Sequence, residues 1–338
     1  MATGARRVVV TQRFFDEASL AYLRGAGCEV AIAELPAGRA DGDLSEDELV
    51  ALLQGAEGWI VGHARVTREL LAALPELKIV SRRGVGYERV DLQAARDLGR
   101  VVTIAAGGND ASVADQAIGM MISVGRRFGE AQARMRAGSW SILMGTDLYR
   151  KTVGVIGLGR IGRSLVQRLS GFEARVLVVS SRPDPAYAAR TGVSFVDLPA
   201  LLAESDYVSV HAPLTPATRH LLRAETLAAM KPGAFVINTA RGGLVSDRDL
   251  LAALKAGHLG GAGLDVFESE SDPDMQPVTD ELIALPNVVA APHAGASTRE
   301  GLDRTNMIAS QCVVAVLDGR DAPTQCVVAD GRVGIPAE

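Results

Sequence analysis

The segment that most constrains the fold of this chain is a glycine-rich turn at residues 153–162, with the sequence VGVIGLGRIG. An apolar run typical of a β-strand leads directly into the pattern G-x-G-x-x-G, and a helix-like stretch follows it. The first glycine permits a tight turn, the second lets the backbone approach a pyrophosphate at the helix N-terminus, and the third lets the helix pack on the strand. The pattern predicts a dinucleotide site formed by the six residues of the turn: Gly157, Leu158, Gly159, Arg160, Ile161 and Gly162.

The end of the next predicted strand bears on which dinucleotide binds. NAD sites usually place Asp or Glu there, about 20 residues after the fingerprint, to hold the ribose hydroxyls. Here the strand is followed by Ser180, Ser181 and Arg182. Two hydroxyls and a guanidinium would bind a 2′-phosphate that a carboxylate would repel, so the sequence favours NADP(H). Two alternatives stay open: Arg182 is merely solvated and NAD(H) binds with little discrimination, or Asp184 reaches the ribose.

Composition and charge exclude several classes of protein. The 338 residues carry a formal net charge of −5, which gives no reason to expect nucleic acid or an anionic membrane as partner. No apolar run approaches the roughly 18 residues that cross a bilayer, and the first residues do not read as a signal peptide. Three widely spaced cysteines fit a reducing cytoplasm, where we expect the protein to be. Five histidines without paired ligand spacing predict no catalytic metal.

Alternating strand and helix patterns run through most of the chain and predict an α/β fold of two Rossmann-like, doubly wound parallel-sheet domains. Because the fingerprint lies mid-chain, we expect a nucleotide-binding domain over residues 105–293. The substrate-binding (catalytic) domain would be discontinuous, residues 1–104 plus 294–330, with the active site in the cleft between the two domains. Residues 331–338 lack periodicity, and we expect them to be frayed.

Local signals place several helix boundaries. Ser45 with Glu48, and Ser297 with Glu300, form the capping-box pattern that begins a helix. The second of these helices would run to about Leu317. A longer helix is predicted over residues 111–128, and its apolar, methionine-bearing face is expected to form a dimer and domain-packing surface.

Three segments that follow later predicted strands carry the residue types of a catalytic site. They are NTARGG at 238–243, GLDVFESE at 263–270 and VVAAPHAG at 288–295. Ligands of open α/β sheets bind outside the carboxyl ends of the strands, so all three segments point toward one crevice. Reduction of a 2-keto acid needs a cation for the carboxylate, an acid for the ketone oxygen and a nicotinamide to deliver hydride. An arginine, a histidine and a carboxylate that orients the histidine meet these demands.

Together these motifs resemble those of the D-isomer-specific 2-hydroxyacid dehydrogenase family, which includes glyoxylate and hydroxypyruvate reductases and 3-phosphoglycerate dehydrogenases. The resemblance runs from about Leu74 to Gly319. Beyond the fingerprint and the three segments, it is carried by GVGY at 84–87, VD at 90–91, SVA at 112–114, HAPLT at 211–215 and MKPG at 230–233.

The resemblance implies a role for each catalytic residue. Arg241 would bind the substrate carboxylate, helped by the backbone amides of Val85 and Gly86. His293 would act as the acid/base and would also contact substrate, and Glu270 would pair with it.

The resemblance also implies cofactor contacts and a homodimer. Asp265 would hydrogen-bond the nicotinamide amide, and the Ser180–Arg182 segment matches NADP-using glyoxylate reductases. The implied cofactor-binding residues beyond these and the fingerprint are His211, Pro213, Thr239, Ala240, Arg241, His293 and Gly295.

Three departures from the family pattern limit the substrate assignment. Asp115 replaces a usual Glu, Ser271 replaces a usual proline, and the loop VGHAR at 61–65 lacks the common Arg-Ser-x-Thr pattern. That loop would border the substrate, so its change weakens an assignment to phosphoglycerate, although His63 or Arg65 could substitute.

We therefore expect an NADP(H)-preferring reductase of a small 2-keto acid, glyoxylate- or hydroxypyruvate-like, that yields the D-2-hydroxy acid and can run in reverse. NAD(H) remains possible. The alternatives are NAD-dependent oxidation of 3-phosphoglycerate and, in a different class, a cofactor-sensing binding protein like the family's corepressors.

Overall fold

The computed structural model describes residues 6–332, which form two compact units. Unit 1 contains the described residues 6–109 and 296–332, and unit 2 contains residues 110–295. The chain therefore leaves unit 1 after Asn109 and returns to it at Ala296. The predicted frayed tail, 331–338, and the predicted domain start at residue 1 extend beyond the described residues. Gly331 itself is held, since its N–H donates to the carbonyl of Arg100 at 2.9 Å.

The boundaries between the units differ by a few residues from the predicted 105–293. Arg304 donates to the carbonyl of Gly108 at 2.9 Å, so residues 105–109 pack with unit 1. The N–H of Gly295 donates to the Asp265 carboxylate at 2.8 Å, so residues 294–295 belong to unit 2.

The described residues of unit 1 form a six-stranded sheet in the order β13-β5-β4-β3-β1-β2. Its strands are β1 (Arg6–Val10), β2 (Cys28–Ile32), β3 (Gly58–Val61), β4 (Ile79–Arg82), β5 (Val101–Ile104) and β13 (Val327–Asp330). Its helices are α1 (Glu17–Gly25), α2 (Glu46–Leu53), α3 (Arg68–Ala73), α4 (Leu92–Asp97) and α13 (Arg299–Leu317). All neighbours pair in parallel except β13, which lies antiparallel to β5 and was not predicted.

The described residues of unit 2 form a seven-stranded, fully parallel sheet in the order β12-β11-β10-β9-β6-β7-β8. Its strands are β6 (Thr152–Ile156), β7 (Arg175–Val179), β8 (Ser194–Phe195), β9 (Tyr207–Val210), β10 (Phe235–Asn238), β11 (Gly261–Leu264) and β12 (Val288–Ala290). Its helices are α5 (Asp110–Gly125), α6 (Phe128–Arg136), α7 (Arg160–Leu169), α8 (Pro185–Thr191), α9 (Leu198–Glu204), α10 (Ala224–Ala228), α11 (Asp247–Lys255) and α12 (Gln276–Ala284). The predicted class of two doubly wound, parallel-sheet α/β units is confirmed.

Each sheet contains one point at which the strand order reverses. In unit 1 the chain runs from β1 to β2 on one side and then crosses to β3 on the other. In unit 2 it runs from β6 through β7 and β8 and then crosses to β9. Loops diverge at such points and leave a crevice at the carboxyl ends of the strands, which is where open α/β sheets bind ligands.

Both sheets are buried on both faces, as their near-continuous apolar strands require. In unit 1, α1 and α13 pack with one face, while α2, α3 and α4 cover the other. In unit 2, α5 and α7 pack on one face, opposite the layer formed by α9 to α12. Met120 and Met121, on the α5 face that was expected to form a dimer surface, are 5% and 0% exposed within this core.

The helix boundaries follow local capping. Ser45 and Glu48 form the predicted capping box at α2. For α13 the prediction is off by one residue, because the Thr298 side chain, not Ser297, accepts from the N–H of Gly301 at 2.9 Å. Helix α5 ends at Gly125, three residues before the predicted end at residue 128. A Cβ on Gly125 would come within 2.3 Å of the Tyr207 hydroxyl.

Candidate active site

The glycine fingerprint forms the turn between β6 and α7. Gly157 has φ +99°, and a Cβ there would lie 2.7 Å from the carbonyl carbon of His211. A Cβ on Gly162 would lie 2.2 Å from the carbonyl oxygen of Gly157, so the third glycine permits the turn to close. Gly159, the N-cap of α7, has open space around its missing side chain. The turn therefore presents a helix N-terminus with room for an anion against its backbone.

Two buried polar atoms at the carboxyl ends of β9 and β10 point to a polar ligand. His211 follows β9, and its Nε2 lies 2.8 Å from the Ser209 hydroxyl, while its buried Nδ1 has no partner among the described residues. Burial lowers the pKa of His211 to about 4, so its ring is neutral. Thr239 follows β10, and its buried hydroxyl likewise lacks a partner in the described part of the chain. Buried polar groups are normally hydrogen-bonded, so these residues fit a dinucleotide along this edge.

The segment after β7 is a hydroxyl-rich turn closed on itself. The Ser180 hydroxyl accepts from the N–H of Arg182 at 3.2 Å and lies 3.1 Å from its carbonyl, while the side chains of Ser181 and Arg182 are exposed. Asp184, the alternative ribose ligand, caps α8 by accepting from the N–H of Tyr187 at 2.9 Å. Its other oxygen accepts from Arg163 at 3.1 Å. The Tyr187 hydrogen bond and Arg163 lower the pKa of Asp184, so this carboxylate is already engaged within the protein.

His293 and Glu270 form a close pair at the ends of β12 and β11. Nδ1 of His293 lies 2.6 Å from Oε2 of Glu270. The other carboxylate oxygen accepts from the N–H of Phe267 at 2.9 Å. Since Nδ1 is engaged with the carboxylate, proton transfer to a ligand would run through Nε2. Both side chains remain about 40% exposed, so a ligand can reach the pair.

The two side chains shift each other's pKa. The hydrogen bond that Glu270 accepts from His293 raises the pKa of His293, although burial opposes the shift. Burial alone would raise the pKa of Glu270, but the hydrogen bond and charge of His293 outweigh it and lower that pKa. Both shifts favour an imidazolium beside a carboxylate, which is the charge state a proton donor needs.

Arg241 lies on the turn that follows β10. Asn238 fixes this turn: its side-chain amide donates to the Arg241 carbonyl at 3.0 Å and accepts from the N–H of Ala240 at 3.1 Å. The charge of Arg241 lowers the pKa of both His293 and Glu270, which places the guanidinium in the same electrostatic neighbourhood. A guanidinium, an imidazole and the carboxylate paired with that imidazole are thus together in unit 2.

Asp265 has a role that the sequence did not reveal. It is 1% exposed, and its two oxygens accept from the N–H groups of Ala294 and Gly295, each at 2.8 Å. Its carbonyl accepts from the N–H of His293 at 2.8 Å. Burial raises the pKa of Asp265 against these two hydrogen bonds. The residue therefore anchors the turn that carries His293, whatever it contributes to a nicotinamide.

A second histidine–carboxylate pair was also missed. Nε2 of His220 lies 2.7 Å from Glu268, whose other oxygen accepts from the N–H of Asp247 at 2.9 Å. The N–H of His220 donates to the carbonyl of Gly243 at 2.7 Å. One residue thus connects the turn of Arg241 with the turn of Glu270. Burial raises the pKa of Asp247 to about 6.

Two of the residues that depart from the family pattern, Asp115 and Ser271, make contacts within unit 2. Asp115 on α5 pairs with Arg168 on α7. The N–H of Ser271 donates to the carbonyl of Glu268 at 3.1 Å, a hydrogen bond that a proline could not make.

The remaining predicted residues are distributed over both units. Val85 and Gly86 follow β4 in unit 1 and are half-buried. In unit 2, Pro213 is exposed, and its carbonyl accepts from the Thr218 hydroxyl at 2.7 Å.

Two features are absent from residues 6–332. No group of three or more His, Cys, Asp or Glu residues in this range could hold a metal ion. Within the same range, no helix combines the length and apolar character needed to cross a membrane. Cys28, Cys312 and Cys326 are free and buried.

Comparison with known proteins gives the family. Residues 118–295 match the model of the D-isomer specific 2-hydroxyacid dehydrogenase, NAD binding domain. The chain is 41% identical over 291 residues to D-3-phosphoglycerate dehydrogenase from Mycobacterium tuberculosis, covering 85% of this chain and 54% of the relative. It is 37% identical over 268 residues to glyoxylate reductase from Thermococcus litoralis, covering 77% and 80% of the two chains.

A solved structure extends the match to nearly the whole chain. The TT0316 protein from Thermus thermophilus superposes with a TM-score of 0.84 at 37% identity, covering 96% of this chain and all of the other. The chain spans about half the length of the phosphoglycerate dehydrogenases that it matches. The family model covers more than half of the sequence, and most of the glyoxylate reductase is matched above 30% identity. The chain therefore belongs to the D-isomer-specific 2-hydroxyacid dehydrogenase family.

Proposed function

We propose that this protein reduces a small 2-keto acid to the D-2-hydroxy acid, and catalyses the reverse oxidation, with a nicotinamide cofactor. The observation that carries the proposal is the pair of His293 and Glu270, 2.6 Å apart, beside the turn of Arg241. The orphaned polar atoms of His211 and Thr239 and the open space at Gly159 fit the cofactor on the same unit.

The chain's own groups supply binding and proton transfer. Arg241 binds the substrate carboxylate as a charged, planar donor. His293 donates its Nε2 proton to the ketone oxygen, and Glu270 stabilises the imidazolium before that step. A bound nicotinamide supplies the hydride for C2. In oxidation, neutral His293 removes the hydroxyl proton instead.

NADP(H) is the proposed preferred cofactor, and NAD(H) remains the alternative. The support is the exposed Arg182 with Ser180 and Ser181 at the end of β7. Asp184 weighs against the alternative, because its two oxygens are engaged by Tyr187 and Arg163.

Initial rates with NADPH and NADH test the cofactor assignment. Wild-type protein should prefer NADPH, and Arg182→Ala should raise the KM for NADPH about tenfold or more, because a charge-assisted hydrogen bond is lost. The KM for NADH should stay the same in both proteins. Arg190→Ala, on the same unit, provides the matched control. Equal rates with NADH in the wild type would contradict the preference.

For the substrate we propose a glyoxylate- or hydroxypyruvate-like 2-keto acid. The alternative, 3-phosphoglycerate oxidation, draws support from the 41% identity to a phosphoglycerate dehydrogenase, although that relative has about twice the matched length. Rates with glyoxylate, hydroxypyruvate, pyruvate and 3-phosphoglycerate should separate the two. Loss of general acid catalysis in His293→Ala should lower kcat about 10²–10⁴-fold.

A cofactor-sensing role, as in the family's corepressors, is the remaining alternative. It predicts tight cofactor binding without turnover of any 2-keto acid, and a biological role that survives His293→Ala. The presence of Arg241, Glu270 and His293 in one unit favours catalysis over sensing.

We also propose that the protein is a homodimer and that the surface formed by α6 and residues 139–149 is its interface. Helix α6 buries none of its residues within the protein. Apolar side chains there are widely exposed: Phe128 by 51%, Met135 by 48%, Trp140 by 80%, Ile142 by 94% and Met144 by 84%. Monomeric proteins rarely expose large apolar patches, so this concentration of exposed apolar side chains in residues 128–144 supports an interface, and symmetric dimers are the commonest oligomers.

A further inference from the structure

Two carboxylates of unit 2 are buried outside the pair of His293 and Glu270. Asp247 is 3% exposed and is the first residue of α11. Glu268 is 7% exposed and begins the short 3₁₀ turn that ends at Glu270. Burying an ionised carboxylate costs free energy unless hydrogen bonds satisfy it. The proposed proton transfer uses neither of these two carboxylates, so their contacts need a separate explanation.

Each of the two carboxylates accepts a hydrogen bond from the backbone of the other residue. Oε2 of Glu268 accepts from the N–H of Asp247, and Oδ2 of Asp247 accepts from the N–H of Glu268, both at 2.9 Å. Hydrogen bonds from a backbone N–H to a carboxylate are charge-assisted and therefore stronger than those between neutral groups. The start of α11 and the turn at Glu268 are thus held together at two points.

Burial works against the charged form of this pair. It raises the pKa of Asp247 to about 6, and the nearby carboxylates of Glu268 and Glu270 add to the shift. The hydrogen bond from the N–H of Glu268 and the charge of His220 oppose it. His220 also contacts Glu268, since its Nε2 lies 2.7 Å from Oε1 of that residue. The two backbone N–H groups and His220 therefore hold together carboxylates that would otherwise repel each other.

The turn of Arg241 lies directly against the peptide that joins Phe267 to Glu268. A Cβ on Gly242 would lie 2.1 Å from the carbonyl oxygen of Phe267 and 3.0 Å from the backbone nitrogen of Glu268. Only a residue without a side chain permits backbones to approach this closely. A displacement of this peptide would therefore move the neighbour of Arg241.

The same peptide also orients Glu270. The N–H of Phe267 donates to Oε1 of Glu270 at 2.9 Å, and the carbonyl of Phe267 accepts from the N–H of Glu270 at 3.3 Å. The other carboxylate oxygen of Glu270 lies 2.6 Å from Nδ1 of His293. Residues 267–268 thus contact the turn of Arg241 and also hold the residue that pairs with His293.

We propose that Asp247 and Glu268 are positioning residues. Together they fix residues 267–268 to the start of α11 and so set the separation between the turn of Arg241 and Glu270. A keto acid must have its carboxylate bound and its ketone oxygen within reach of the proton donor at the same time, and small errors in this spacing slow the reaction strongly. This role rests on the proposed function.

Steady-state kinetics with a 2-keto acid test the proposal. Asp247→Ala removes the acceptor for the N–H of Glu268 and should lower kcat/KM on the order of a hundredfold, with the Kd of the cofactor unchanged. Asp247→Asn keeps an oxygen at this position and should recover most of the loss. Asp249→Ala removes another carboxylate of α11, one that accepts from the N–H of Ala224 at 3.1 Å, and should behave as the wild type does.

An NMR titration of His293, assigned by comparison with His293→Gln, gives a readout that needs no turnover. Glu270 raises the pKa of His293, so a loosened pair should show a lower pKa in Asp247→Ala than in Asp247→Asn. Both variants remove the same charge, so the difference between them reports position. If Asp247→Ala does not fold, Asp247→Ser has a side chain too short for the same contact and should give the same result.

The outcomes separate this role from a structural one and from the proposed function. Equal kcat/KM and equal His293 pKa in Asp247→Ala and Asp247→Asn, with a change only in the melting temperature, would overturn the positioning role. Absence of turnover with every keto acid in the wild type would count against the proposed function. The NMR titration would then still decide whether Asp247 positions the pair of His293 and Glu270.

Discussion

His293 occupies a left-handed backbone conformation, with φ +51°, that non-glycine residues adopt uncommonly. Asp265 over-determines this turn, because its carbonyl and both carboxylate oxygens accept from three consecutive N–H groups, 293 to 295. Glu270 then fixes the ring through Nδ1. The proposed proton donor is thus positioned by two carboxylates before substrate arrives, which is how a strained residue can serve catalysis.

The pH dependence of reduction should respond to Glu270→Gln. The proposed reduction needs protonated His293, so kcat/KM should fall as pH rises through the pKa of this residue. Glu270 raises that pKa, and its replacement by a neutral amide should move the alkaline limb of the profile to lower pH. The oxidation profile, which needs neutral His293, should move in the same direction.

Matched variants make this pH test specific. Glu270→Asp should recover part of the wild-type profile, and Glu225→Gln, at an exposed carboxylate of the same unit, should leave it unchanged. An alkaline limb that stays in place in Glu270→Gln would show that His293 is not the group that titrates.

At the residue scale, a role could be predicted from the sequence only where the residues that share it are consecutive in the chain. The fingerprint glycines could be recognised because a strand, a turn and a helix are consecutive in sequence. The anchoring by Asp265 and the contact of His220 with Glu268 could not, because each joins loops from different strands. For Arg241, Glu270 and His293, family resemblance supplied the pairing that spacing alone left open.

At the scale of the βα turn, the three glycines are not equivalent. Gly162 lacks space for a Cβ, whereas Gly159 has no atom within 4 Å of one. Gly162→Ala should therefore destabilise unit 2 by about 1–3 kcal/mol, the usual cost of overpacking. Gly159→Ala should leave the melting temperature near that of the wild type but weaken cofactor binding on the order of tenfold, because its methyl group would enter the anion's space.

Calorimetry and cofactor titration on both variants would measure these effects. Gly171→Ala, another position with open space, is the control for an added methyl group. Unimpaired cofactor binding by Gly159→Ala would show that the pyrophosphate lies elsewhere.

His220 connects the turns that carry Arg241 and Glu270, so its removal should affect substrate binding as well as stability. His220→Ala should raise the KM for the keto acid several-fold and leave the Kd of the cofactor unchanged, because the turn of Arg241 loses its link to Glu268. His220→Asn should rescue part of the effect. His258→Ala provides the comparison, since His258 precedes β11 at the opposite edge of the sheet.

A purely structural role for His220 predicts a different pattern. The melting temperature would then fall in His220→Ala with no change in the KM of the residual enzyme.

The strands could be predicted with differing success. Apolar runs bounded by turn residues make β5, β7, β9 and β12 recognisable in the sequence. Strand β8 has two residues, too few to show a pattern. Strand β13 is a short apolar run after a helix, and only its antiparallel pairing with β5 makes it a strand.

At the scale of the whole molecule, the exposed apolar surface of α6 and residues 139–149 should decide the oligomeric state. Trp140→Asp with Ile142→Asp should convert the proposed dimer to a monomer, because two charges would be buried in an apolar interface. Light scattering should show the mass halved. Ile283→Asp, at a half-exposed isoleucine of α12, should leave the mass unchanged. A monomeric wild type at all concentrations would exclude the dimer.

The interruption of unit 1 between Asn109 and Ala296 has a consequence for biosynthesis. Domains generally fold in the order in which they emerge from the ribosome. Here the first five strands emerge early, yet α13, whose Val313 and Cys312 pack against Val8 and Ile79, emerges only after all of unit 2. Unit 2 is therefore the first part of the chain that can be completed. Until α13 emerges, the face of the unit 1 sheet that this helix covers stays exposed in the nascent chain. Chaperones that bind apolar surface should therefore act mainly at this stage.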